Sequence, residues 1–169
     1  MNCKPIYLTT LFLALSHSVV AFASTPPLKV AVIEGATATN DLVKGSSKAS
    51  IYKIKSSSKG ITTNDDKINL CVAYLQAGKL KKSESACTAA INSIEAMSLE
   101  SEKALYLTSL SYSNRAISRY KNNDISGAIE DLNTAVSIDP NTIAMSNLNV
   151  IKQHLYTSVT DRLTATSSL

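Results

Sequence analysis

Two cysteines are the residues of this chain whose type and spacing point most clearly to chemistry. Cys71 and Cys87 lie on either side of Gly78, and the apolar pattern around them predicts two helices joined by a tight turn at Gly78 and Lys79. Because the cysteines are nearly symmetric about that turn, we expect them to face each other and, in an exported chain, to form a disulfide. A loop of this length would stabilise the fold by about 3 kcal/mol. The absence of a Cys-x-x-Cys motif favours this structural role over a redox role.

The other residues that could do chemistry are isolated. His154 is the only histidine after the first 23 residues, so the sequence predicts no metal site. Ser56 and Lys59 have the spacing of a serine-acylase motif, but they lie in a serine-rich stretch without its partner motifs. Glu130 and Asp131 are adjacent on a predicted helix and therefore point in different directions. With no glycine-rich phosphate loop either, the sequence predicts no catalytic residue, no cofactor and no enzyme.

The first 23 residues have the pattern of a secretory signal peptide. Lys4 precedes the apolar run Ile6–Val20, and Ala21-Phe22-Ala23 follows with small residues at its first and third positions. A membrane anchor is the alternative, but Ser16-His17-Ser18 interrupts the run and leaves it short for a span of about 20 apolar residues. We therefore predict cleavage after Ala23, a periplasmic or secreted product, and no transmembrane span after cleavage.

The composition favours a single helical domain. The chain has 169 residues, a net charge of +4, no tryptophan and two phenylalanines. A core must therefore be made of Leu, Ile, Val, Ala and Tyr, which suits closely packed helices. The lysines are scattered, so nothing in the charge pattern predicts nucleic-acid binding.

The region from residue 24 to residue 63 is the hardest to interpret, and we expect an N-terminal extension that is partly ordered. The β-branched stretch Leu28–Ile33 could form a short strand, but the sequence offers nothing for it to pair with. The apolar residues between Leu42 and Ile54 indicate a short helix. At the other end, residues 161–169 are expected to be a flexible tail.

One stretch of 34 residues, Ser109–Thr142, resembles a tetratricopeptide repeat. The residues that carry the resemblance are Tyr112, Ala116, Ala128, Leu132, Ala135 and Pro140, at the repeat's spacings. Arg115 and Arg119 depart from it, since Leu and Tyr are usual there.

A second, weaker unit fits Asn64–Met97, with the extra spacer Ser98–Thr108 behind it and a capping helix from Ile143. The resemblance therefore implies an all-α stack of antiparallel helical hairpins over residues 64–160, with about two repeats plus a cap. Since about three repeats are usually needed for stability, we expect residues 40–58 or a second copy of the chain to pack against the stack.

In such proteins one face of each first helix lines a concave groove. The resemblance implies a partner-binding groove here that includes Ile68, Asn69, Val72, Asn114, Ile117, Tyr120, Lys121, Leu148 and Ile151. Asn114 matches the asparagine with which chaperone-binding members hold a carboxylate, but the basic residues of that clamp are missing. Carboxylate capture is therefore not expected, and Asn114 could instead bond to backbone or face solvent.

These observations together predict a protein–protein interaction or scaffolding module of the bacterial cell envelope, which binds a peptide or protein in the groove. Two alternatives stay open at this point, an accessory factor of an envelope enzyme and a carrier of a small apolar ligand. Self-association into a homo-oligomer stays open as well.

Overall fold

The computed structural model describes residues 26–57, 63–97 and 101–166. This part of the chain contains helices and no strand, which confirms the predicted all-α class. The predicted signal peptide, residues 1–23, lies outside the described residues. The helices are α1 (Thr39–Val43), α2 (Ser47–Lys55), α3 (Asn64–Gln76), α4 (Leu80–Glu95), α5 (Glu102–Lys121), α6 (Ile125–Ile138) and α7 (Thr142–Thr166).

The five longer helices form a repeat-like stack. Each helix from α3 to α7 packs against the next one in the chain, and α5 also contacts both α3 and α7. The helices α3, α5 and α7 therefore lie side by side and share one face.

Local sequence accounts for most helix ends. The side chains of Thr63 and Ser101 accept hydrogen bonds from the third residue after them, and so cap α3 and α5. At α7, Asn141 accepts bonds from two backbone amides, as its position after Pro140 predicts. At α6, the Asp124 side chain accepts the capping bond from the Gly127 amide.

The predicted hairpin of α3 and α4 turns where the sequence indicated. Gly78 has a φ of 69°, a left-handed conformation that glycine adopts without a steric penalty. Cys71 and Cys87 face each other across the hairpin at disulfide-bonding distance, with a Cα–Cα separation of 5.0 Å. Both cysteines are fully buried, so the bridge lies inside the stack.

The two short helices cover the outer side of the first hairpin. Leu42 of α1 is buried with Val72 and Ala73 of α3, and Ile54 of α2 is buried with Leu70. The expectation that residues 40–58 pack against the stack is thus met within a single chain.

The last helix is longer than the sequence suggested. α7 continues to Thr166, past the boundary at residue 160 where we expected the domain to give way to a tail. Residues 142–166 contain no proline or glycine, so nothing in the local sequence stops the helix. No helix in the described ranges is long and apolar enough to cross a membrane.

The two arginines that depart from the repeat pattern form an ion-pair cluster. Arg115 donates two hydrogen bonds to the carboxylate of Asp131, at 2.9 and 2.7 Å, and Arg119 lies 3.0 Å from the same group. Asp131 is only 2% exposed, so the pairing compensates the cost of burying its charge. Arg119 also contacts Glu84, which ties α4, α5 and α6 together.

Candidate functional site

An extended stretch of the chain's own N-terminal region covers the shared face of α3, α5 and α7. We call residues 28–33 the N-terminal segment. It has no regular secondary structure, because its hydrogen-bonding partners are side chains of the helices rather than another strand. The strand that Leu28–Ile33 could have formed is therefore absent, although the segment bonds at alternate residues, as an extended chain does.

Three asparagines hold the N-terminal segment, and we call them the asparagine ladder. Each one accepts a bond from a segment amide through Oδ1 and donates a bond to the carbonyl of the same residue through Nδ2. The pairs and their two distances are Asn147 with Lys29 (2.7 and 2.8 Å), Asn114 with Ala31 (2.9 and 2.9 Å) and Asn69 with Ile33 (2.8 and 3.0 Å).

The geometry of the ladder follows from the period of an extended chain. Successive residues of such a chain face opposite sides, so every second residue presents its amide and carbonyl to the same surface. A primary amide offers one acceptor and two donors, and can therefore bind both groups of one residue. The helices meet the segment in the order α7, α5, α3, so the segment runs opposite to the order of the repeats.

The three ladder asparagines are buried, and their amide groups form hydrogen bonds. Asn69, Asn114 and Asn147 are all fully buried, which would be costly for amide groups without partners. The second amide hydrogen of Asn147 is directed to Ser113 Oγ at 3.0 Å, and that of Asn69 to Thr39 Oγ1 at 3.3 Å. These neighbours fix the orientation in which the amides of Asn147 and Asn69 meet the segment.

Side chains of the segment fill apolar positions between the helices. Val30 and Val32 pack against the cluster that includes Val72 of α3, while Ile33 packs against the cluster that includes Ile68. At the other end, Leu28 packs against Leu148, Ile151 and their neighbours on α5, α6 and α7.

The middle of the segment is the most tightly enclosed part. Ala31 is only 3% exposed, so a larger side chain at this position would meet the atoms that surround it. The Lys29 side chain is exposed, so its size is not limited by the surrounding helices. The segment is therefore held by main-chain bonds at alternate residues and is enclosed most closely at Ala31.

A cavity of about 330 Å³ lies beside the start of the segment. Its lining includes Leu28 and Val30 from the segment, and Ile117, Lys121 and His154 from the helices. Tyr120 Oη lies 2.7 Å from His154 Nδ1, at hydrogen-bonding distance, so these two side chains form a polar rim between α5 and α7.

The segment's connection to α1 is also held in place. The Thr37 amide donates to Asp66 Oδ1 at 2.8 Å, and Thr39 Oγ1 donates to the carbonyl of Ile33 at 2.8 Å. The connection includes Gly35 and Ala38, which have φ values of 76° and 65°. The left-handed conformation at Ala38 is unusual for a residue with a side chain.

The nine residues predicted for the groove lie on or beside this face, and the segment occupies it. Asn69 and Asn114 bind segment backbone, and the remaining seven pack near the segment or line the adjacent cavity. Those seven are Ile68, Val72, Ile117, Tyr120, Lys121, Leu148 and Ile151. For Asn114, the structure shows the alternative of backbone bonding that the sequence left open.

Sequence reasoning missed Asn147 and the N-terminal segment itself. Asn147 follows Asn114 by 33 positions, which is close to the 34-residue repeat, so the repeat spacing could have identified Asn147. Asn69 precedes Asn114 by 45 positions, but α5 has 20 residues and α3 has 13, so α5 is longer by about two helical turns and Asn114 stays on the same face. The segment offered no comparable signal, because its partners are up to 118 positions away in the chain.

Electrostatic effects are concentrated on the opposite side of α5. Burial raises the pKa of the Tyr112 hydroxyl, and the nearby Glu95 carboxylate, which accepts its hydrogen bond at 3.1 Å, raises it further. In the described residues, no group of His, Cys, Asp and Glu has an arrangement that could hold a metal ion.

Comparison with known proteins gives no match: no family model, no curated protein and no solved structure resembles this chain significantly.

Proposed function

We propose that this protein is a non-enzymatic, tetratricopeptide-like binding module, which holds an extended polypeptide segment by its main chain. The observation that supports the proposal is the asparagine ladder. Three buried amides on three successive first helices each bind the amide and carbonyl of one residue in an extended chain. This arrangement matches the two-residue repeat of an extended polypeptide backbone.

The compartment and the role are part of the same proposal. The signal-like pattern of residues 1–23 and the buried cysteine pair both favour a periplasmic or secreted protein. A scaffolding role in the cell envelope fits a small helical stack with one face that holds an extended segment. The alternative of a carrier for small apolar ligands has less support, because the apolar residues of the groove are covered by the N-terminal segment.

A capture experiment with purified protein tests this function. The chain from Ser24 onward, tagged at its C-terminus, is used to capture proteins from the native envelope fraction. The groove variant carries Asn114→Asp and Asn147→Asp, which keep the size and one acceptor but lose the Nδ2 donors. The matched control carries Asn133→Asp and Asn149→Asp, which add the same charge at exposed positions of α6 and α7.

We expect the control to recover the same partners as the wild type and the groove variant to lose them. Far-ultraviolet circular dichroism of both variants establishes that the helices are retained. Recovery of the same proteins by all three forms would contradict binding through the groove.

A further inference from the structure

We propose that the N-terminal segment is a tethered competitor of the groove's partner, and that the partner is an extended chain with the segment's own side-chain pattern. This inference rests on the proposed function and deepens it. It defines the side-chain pattern of the segment that the groove accepts. It also implies that the N-terminal segment must leave the groove before a partner can bind.

The ladder itself selects for conformation rather than sequence. Its six bonds go to backbone atoms of Lys29, Ala31 and Ile33, so any extended chain except one with proline at those positions could form them. Discrimination must therefore come from the enclosed side chains.

Those side chains define a pattern for the partner. Branched aliphatic residues are required at the positions of Leu28, Val30, Val32 and Ile33, where the segment packs into apolar clusters. Alanine or glycine is required at the position of Ala31, which is almost completely enclosed. The exposed position of Lys29 is unrestricted.

The segment is joined to α1 by a short connection, which gives it an advantage over any free chain. A tethered ligand acts at an effective concentration in the millimolar range, so a free peptide with the same contacts competes poorly. The apparent affinity of a partner is reduced by the fraction of molecules whose groove is empty. A natural partner must therefore make contacts beyond these six positions, or act where the segment has been released.

The full chain with Ala31→Pro provides an emptied groove without changing any groove residue. Proline at this position removes the amide that donates to Asn114, and its ring would contact Oδ1, which lies 2.9 Å from the nitrogen. Ala31→Gly is the matched control, because it keeps the amide that donates to Asn114 and adds no atoms at the enclosed position. The probe is a fluorescent peptide of residues 27–34 with blocked ends, followed by fluorescence anisotropy.

We expect the peptide to bind the Ala31→Pro protein at least about tenfold more tightly than it binds the wild type or the Ala31→Gly control. A second peptide, with leucine in place of the alanine, should fail to bind the Ala31→Pro protein. Equal affinity for the wild type and the Ala31→Pro protein would overturn the competitor role. Equal affinity of the two peptides would overturn the side-chain pattern.

The outcomes also separate this inference from the proposed function. If the peptide does not bind the Ala31→Pro protein but that protein still captures the envelope partner, the inference fails and the proposed function stands. If neither binds while circular dichroism shows intact helices, both fail. A wild-type dimer in light scattering that Ala31→Pro abolishes would assign the groove to the segment of a second copy, and would contradict tethering within one chain.

Discussion

Individual asparagines carry the interaction between the N-terminal segment and the helices. An asparagine at the centre of a helical stack is unfavourable unless its amide is fully bonded, and here each ladder amide binds the backbone of a single residue. Two of the three could be identified as groove residues from their positions in the repeat. Their bonding partner could not, because nothing in the local sequence connects Asn69 or Asn114 to residues 28–33.

Replacing Asn114 should destabilise the whole protein. Asn114→Ala leaves the amide and carbonyl of the buried Ala31 without partners, which should lower the free energy of unfolding by about 2–4 kcal/mol. Urea denaturation followed by circular dichroism measures the change. Asn149→Ala, at an exposed position of α7, serves as the control and should change stability by less than about 0.5 kcal/mol. Equal effects of the two changes would contradict the role of Asn114.

The ion-pair cluster gives a second prediction. Asp131→Ala would leave Arg115 and Arg119 together without their shared carboxylate, and should cost about 3–5 kcal/mol. Glu130→Ala, at the exposed neighbouring position, should cost less than about 0.5 kcal/mol. Thermal unfolding at constant pH compares the two, and a similar loss in both would mean that the cluster does not hold α5 and α6 together.

The raised pKa of Tyr112 predicts a dependence on alkaline pH. Burial and the Glu95 carboxylate disfavour the phenolate in the folded protein, so the folded pKa exceeds the ordinary value of 10.0. The stability contributed by this group is therefore complete below pH 10 and is lost as the pH rises through the folded pKa. The ultraviolet titration curve of Tyr112→Phe is subtracted from that of the wild type, and the difference should show one tyrosine ionising above pH 10. Ionisation at or below pH 10 would contradict the raised pKa of Tyr112.

Among the elements, the helical hairpins were predictable and the segment was not. The pattern around Gly78 predicted both the turn and the facing cysteines, because these contacts are local and follow the helical period. The ladder bonds join the segment's backbone to residues that are 36 to 118 positions away, so its place depends on the folded stack as a whole. Its alternating β-branched residues indicated an extended chain but gave no information about where it lies.

The cysteine pair gives a prediction for the α3–α4 hairpin. In the protein from Ser24 onward, Cys71 and Cys87 should not react with a thiol reagent in denaturant until a reductant is added. Reduction should lower the free energy of unfolding by about 3 kcal/mol, because the cross-link restricts the unfolded chain. Labelling without reductant, detected by mass spectrometry, would contradict the bridge.

On the scale of the whole molecule, the chain compensates for its small number of repeats with its own N-terminal region. The helices α1 and α2 cover one side of the first hairpin, and the N-terminal segment covers the shared face of α3, α5 and α7. The sequence correctly suggested that so short a stack needs additional packing. It did not reveal that the N-terminal segment would occupy the predicted partner groove.

Amide hydrogen exchange measured by nuclear magnetic resonance tests the occupancy of the groove most directly. In the protein from Ser24 onward, we predict slow exchange at Lys29, Ala31 and Ile33, whose amides bond to the ladder, and faster exchange at Val30 and Val32. Asn114→Asp keeps an acceptor and should preserve protection at Ala31 better than Asn114→Ala. Fast exchange at all five positions, as in an unstructured peptide, would show that the segment does not occupy the groove.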